Sequence, residues 1–123
     1  MAVGDRMGVI SAVGLAASGI GIALRPATAG AALDIPAVSS RGIAETRAGL
    51  GGTYAALGLW SLARGTADAH TAVGVTWLGA AALRLTALAV DKPKTTATYW
   101  LYLAGELTLG VGAVAAGQSR RGG

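Results

Sequence analysis

The chain has no cysteine, a single histidine and only 13% charged residues. The lack of cysteine excludes disulfides and thiolate metal sites, and it leaves the redox compartment open. The lone His70 has no second imidazole or thiol to complete a metal-ligand set, so no metal is expected. A soluble domain carries roughly 25% charged residues. At half that share, with 53% hydrophobic residues and a mean hydropathy of +0.55, the polar surface is too small to cover a sphere. Lipid must solvate the rest. The sequence also lacks a Gly-rich phosphate loop and a Ser/His/Asp set, so neither catalysis nor a cofactor is expected. A basic stripe is missing too. The net charge of +4 is carried by Lys and Arg scattered along the chain, which reads as membrane-interface charge, and no nucleic-acid partner is expected.

What the sequence has in quantity is small residues. Twenty glycines and abundant alanine suit close helix–helix approach in lipid. Four apolar segments follow one another, at about 7–24, 43–63, 67–90 and 96–116. Each is near the roughly 20 residues that span a hydrocarbon core as a helix. Their Ala, Leu and Gly content, without β-branched alternation, argues against strands. The expectation is an all-α single membrane domain over residues 1–123, a four-helix transmembrane bundle with up-down antiparallel topology. Short connections at Arg64–Thr66 and Asp91–Thr95 force antiparallel neighbours. The longer stretch 25–40 holds Pro26, Asp34 and Pro36 and reads as an interfacial loop, and Gln118–Gly123 as a polar tail. The first segment has a rival reading as a signal peptide, with Ala27-Thr28-Ala29 before Gly30. Its apolar run is longer than the roughly 7–15 residues usual there, and Pro26 sits close to the cleavage point, which favours an uncleaved helix. Loop charges give no orientation. Arg6, Arg64, Arg120 and Arg121 lie on one side, and Arg25, Arg41, Lys92 and Lys94 on the other.

The stretch "RGIAETRAGLGGTYAALGLW", residues 41–60, places Glu45 and Arg47 inside an otherwise apolar helix. Arg84 lies about two turns before the end of the third segment, on the same side of the membrane. Glu106 is about ten residues into the fourth, roughly 15 Å deep and near the bilayer centre. All four fall in one half of the membrane. Charges in lipid survive best when they pair and face a bundle interior. Helical phase places Arg47, Gly51, Tyr54 and Gly58 on one stripe, with Gly51 and Gly58 at a tight helix contact. His70, Gly74, Trp77, Ala81 and Arg84 form a second stripe, and Tyr99, Tyr102 and Glu106 a third. Glu45 points about 200° away from Arg47, toward the loop, the headgroups or a partner. Arg47 and Arg84 have an alternative, snorkelling to the interface, but Glu106 is too deep for its short side chain. It must be paired, protonated or exposed to water. His70 is expected at the interface, and the tryptophans as lipid anchors, with Trp77 deep enough to line the interior.

The segments "AETRAGLGGTYAALGLW" (44–60), "AALRLTALAVD" (81–91) and "LAGELTLGVGA" (103–113) resemble the domain of unknown function 4345 family, small bacterial four-helix membrane proteins. The family's second span carries an acid-x-Arg element before paired glycines, which correspond here to Glu45, Arg47, Gly51 and Gly52. Its third-span Arg and fourth-span acid correspond to Arg84 and Glu106. The resemblance implies a fold in the bacterial cytoplasmic membrane, and no activity.

Two classes of function fit these residues. The first is a binding or accessory bundle with a polar site in one leaflet half, formed by Arg47, Arg84, Glu106, Glu45, Tyr54 and Tyr102. It would hold a lipid, a quinone-like molecule or a partner helix, alone or within a larger membrane complex or homo-oligomer. The second is a proton-coupled transporter. A short four-span chain with one deep acid resembles the small multidrug exporters, although their acid lies in the first span and this first span has none. A purely structural subunit, whose charges only fix helix register, stands beside both.

Overall fold

The structure, a computed structural model, describes residues 3–122. All regular secondary structure in it is helical. Helix α1 covers Val3–Leu24 and α2 Pro26–Ala32. A second long helix begins as α3, Ser40–Glu45, passes through a π-helical segment, Thr46–Gly52, and continues as α4, Thr53–Arg64. The last two helices are α5, Ala67–Val90, and α6, Ala97–Gly122.

Local chemistry sets the boundaries. Arg25 precedes Pro26 and is pushed out of the helical region, at φ −136° and ψ 66°, which ends α1. Pro26 then opens α2 at a position where its missing N–H is not needed. The expected loop 25–40 therefore contains a two-turn helix. Ser39 caps α3 by accepting from the Gly42 N–H at 3.0 Å, and Thr66 caps α5 by accepting from the Ala69 N–H at 3.2 Å. Gly65, at φ 59°, closes α4 in the left-handed conformation that glycine adopts freely. The expected polar tail from Gln118 is instead the last turn of α6.

The chain groups into two compact units. The central unit is Ala12–Ala63. Here the later part of α1 runs antiparallel to the second long helix, and glycines form the contact. A methyl group added at Gly58 would lie 2.5 Å from the Ala16 nitrogen and 2.8 Å from the Ala12 carbonyl oxygen. One added at Gly51 would lie 2.8 Å from the Ala23 nitrogen, and one at Gly19 would collide with the Ala55 nitrogen. Descending numbers on one helix thus meet ascending numbers on the other. The expected tight contact at Gly51 and Gly58 is present.

The terminal unit comprises residues up to Ser11 and from Arg64 onward. Its framework is the α5–α6 antiparallel hairpin. Gly74 faces Val114, Gly110 faces Leu78 and Gly117 faces Thr71, so each glycine receives a larger side chain. Ala69, Val73, Ala81, Leu103, Ala113 and Ala116 are buried. The start of α1 lies against both helices. Ser11 Oγ donates to the Leu109 carbonyl at 2.7 Å, and Trp77 Nε1 donates to the Ser11 carbonyl at 3.2 Å. At the same end Arg120 Nε pairs with Asp5 Oδ1 at 3.1 Å, and Arg121 pairs with Asp68.

Three helices are long and apolar enough to cross a membrane: Asp5–Leu24, Ala67–Val90 and Ala97–Arg121. The second expected span, 43–63, is not among them. It is one uninterrupted helical stretch over residues 40–64 that changes from α to π and back, so no single α-helical piece reaches the roughly 20 residues of a spanning α-helix.

Candidate functional site

Two charges that the sequence places within the apolar segments of the terminal unit meet. Arg84, near the end of α5, faces Glu106 on α6 because the hairpin register sets these positions level. Arg84 Nε donates to Glu106 Oε1 at 2.7 Å, and Nη2 donates to Oε2 at 2.9 Å. This is the parallel two-bond fork in which guanidinium and carboxylate match best. The Glu106 side chain is 8% exposed and that of Arg84 is 23% exposed.

Two phenol rings complete the site. The Arg84 Cζ lies 5.1 Å from the centre of the Tyr99 ring and 5.6 Å from that of Tyr102. Both are within the roughly 6 Å over which a cation is attracted to an aromatic face. The Tyr99 hydroxyl donates to the Arg84 backbone carbonyl at 2.7 Å. Tyr99 and Tyr102 are three residues apart on α6, and Glu106 is four further on, so one face of one helix presents all three. Tyr99 is a site residue that the sequence reading left on its stripe without a role. Its signal was that same spacing.

Arg84 has five N–H donors, and the fork engages two of them. Three remain for an acceptor arriving at the partly exposed side. The site therefore joins a paired carboxylate to a partly exposed guanidinium that has two phenol rings against it. Among the described residues no group of three His, Asp or Glu side chains is placed to hold a metal ion.

The other expected site residues belong to the central unit. Tyr54 is half-buried on α4. Glu45 is exposed and accepts from Arg41 Nε at 2.9 Å, an i,i+4 pair along α3. Arg47 is exposed in the π-helical segment, which corrects its expected place on the buried stripe with Gly51 and Gly58. The reason is the length of its neighbour. Ala23 meets Gly51, and α1 stops at Leu24, so α1 does not continue alongside the turn that carries Arg47.

His70, expected at the interface, lies in the first turn of α5 and is buried within the protein at 3% exposure. Gly8 of α1 lies against the ring, so that a methyl group there would be 2.5 Å from Nδ1. His70 Nδ1 and, in the central unit, Ser61 Oγ are buried without a hydrogen-bond partner among the described residues.

Comparison with protein-family models, curated proteins and solved structures gives no match to this chain, so the reading of the site rests on its own geometry.

Proposed function

We propose that the chain is a small integral membrane protein of the bacterial cytoplasmic membrane, a non-catalytic binding or accessory bundle that crosses the bilayer four times. Three crossings are the long apolar helices. The fourth is the second long helix, whose residues 48–63 carry no charge and whose charged start extends to the interface by snorkelling.

The observation that carries the binding role is the partly open Arg84 beside a closed Glu106. A guanidinium neutralised on one edge, framed by Tyr99 and Tyr102 and donor-rich on the other, suits a ligand with acceptor oxygens. A lipid headgroup, a quinone-like carbonyl and the polar group of a partner helix share that chemistry. The fork also favours a second reading. Both Glu106 oxygens are engaged by Arg84, so the pair is satisfied as it stands and would serve to fix the hairpin register. A proton-coupled cycle is less favoured, because it would have to break this fork at each turn.

The test is purification of the wild-type chain and the R84M/E106Q variant in mild detergent, with mass spectrometry of what copurifies. The binding role predicts an acceptor-bearing molecule or protein held by the wild type and depleted about tenfold in the variant, the equivalent of one charge-assisted contact. An identical set of companions in both would leave the structural reading.

A further inference from the structure

The central unit has an uneven charge distribution. Residues 12–24 and 48–63 contain no charged side chain, and every charge of the unit lies between Arg25 and Arg47. These charges gather at one end of the helix pair, because Ala23 meets Gly51 and the chain on both sides continues past that contact. Arg25 is two residues beyond Ala23, and Arg47 is four residues before Gly51. At about 1.5 Å per helical residue, both lie on the same side of the contact and within about 3 Å of the same level. Helix α2, which Arg25 caps, packs on the π-helical segment that carries Arg47. The local backbone therefore sets the two arginines at one level, at the same end of the helix pair.

Their partners differ from those of the other charges there. Arg41 is held by Glu45. Arg25 and Arg47 are exposed and have no ion-pair partner within the unit. The remaining acid, Asp34, is held away from Arg25 by the length of α2, roughly 10 Å along the helix axis. The result is a pair of guanidinium groups without an ion-pair partner among the described residues, at the polar end of a charge-free helix pair. A π-helical segment next to such a group is a frequent mark of a functional position.

We infer that Arg25 and Arg47 form a binding site for the phosphodiester of an anionic phospholipid. The arginine forks match phosphate oxygens, and the uncharged helix arms below them offer an apolar path for the acyl chains. A membrane phosphodiester supplies both parts, whereas a free anion supplies only the first. This inference rests on reading the chain as a membrane protein, and it is separate from the Arg84 site of the terminal unit.

The test is native mass spectrometry of the full chain in a neutral detergent, titrated with phosphatidylglycerol, phosphatidylcholine or inorganic phosphate. The wild type should take up one phosphatidylglycerol in preference to phosphatidylcholine. R25Q and R47Q should each weaken that uptake about tenfold, the effect of losing one charge-assisted contact. Both side chains are exposed and unpaired, so these variants keep the fold. R41Q/E45Q removes the neighbouring pair at constant net charge and should bind as the wild type does. Unchanged uptake by R25Q/R47Q would overturn the site, as would an equal loss in R41Q/E45Q. Displacement of the lipid by inorganic phosphate at equal concentration would overturn the lipid assignment. Failure of the membrane reading shows separately, as release of the chain from membranes by alkaline carbonate.

Discussion

A guanidinium placed on an apolar helix needs a counter-charge, and Arg84 has one in Glu106 at hydrogen-bond distance through both oxygens. The energetic consequence is asymmetric. Removing one member of a buried pair strands the other and costs about 3–5 kcal/mol, while removing both can be nearly neutral. We predict that E106Q and R84M each lower thermal stability in detergent by most of that amount, the partial exposure of Arg84 reducing it, and that R84M/E106Q recovers at least half of the loss. Strictly additive losses would show that the pair does not contribute to folding. This pair was legible in the sequence from depth, membrane side and helical phase, which offered Arg84, and with it Arg47, as partners of Glu106. Tyr102 was legible by spacing. His70 and Arg47 were not, and for one reason: each depends on where a neighbouring helix lies. His70 is buried because Gly8 lacks a side chain at the point where α1 reaches it, and Arg47 is exposed because α1 ends at Leu24.

At the scale of the helices, apolar run length was a good guide where the termini carry strong signals. Helix α5 has the expected bounds 67–90, set by the Thr66 cap and by Asp91 before Pro93. The second long helix was harder to read. Gly49, Gly51 and Gly52 fall within seven residues, and glycine's low helix propensity leaves the backbone free to adopt the wider π turn. Periodicity counted at 3.6 residues per turn cannot register that change. The glycines themselves separate into two kinds. Gly58 faces the α1 backbone, whereas Gly49 faces open space. We predict that G58A destabilises the protein by about 1–3 kcal/mol through overpacking. G49A should be neutral, or more stable by up to about 1 kcal/mol through helix propensity. Chemical denaturation of the two variants side by side decides this, and equal effects would place the Gly58 face outside any helix contact.

For the whole molecule the expectation concerns topology. Reporter fusions after Leu24, Ala63 and Val90 should alternate between compartments if all four long helices cross. A matching compartment for the first two would mean that the second long helix lies at the surface, leaving three crossings. A split signal at every fusion would mean that both orientations exist, as the balanced loop charge allows. Whole-chain features were the least legible of all. The division into two units follows from which faces pack, and α1 belongs partly to each. The ion pairs of Arg120 with Asp5 and Arg121 with Asp68 join residues far apart in the chain, where sequence distance carries no information.

The facing pairs of the α5–α6 hairpin limit the motions open to it. If α6 moved along α5 by one turn, about 5.4 Å, one direction would drive Leu78 into Val114. The other would set Gly74 opposite Gly110 and open a void between them. Both directions would also pull Arg84 away from Glu106. The hairpin therefore resists a piston stroke from either end, and tilt or rotation of the two helices together is the motion its packing leaves open.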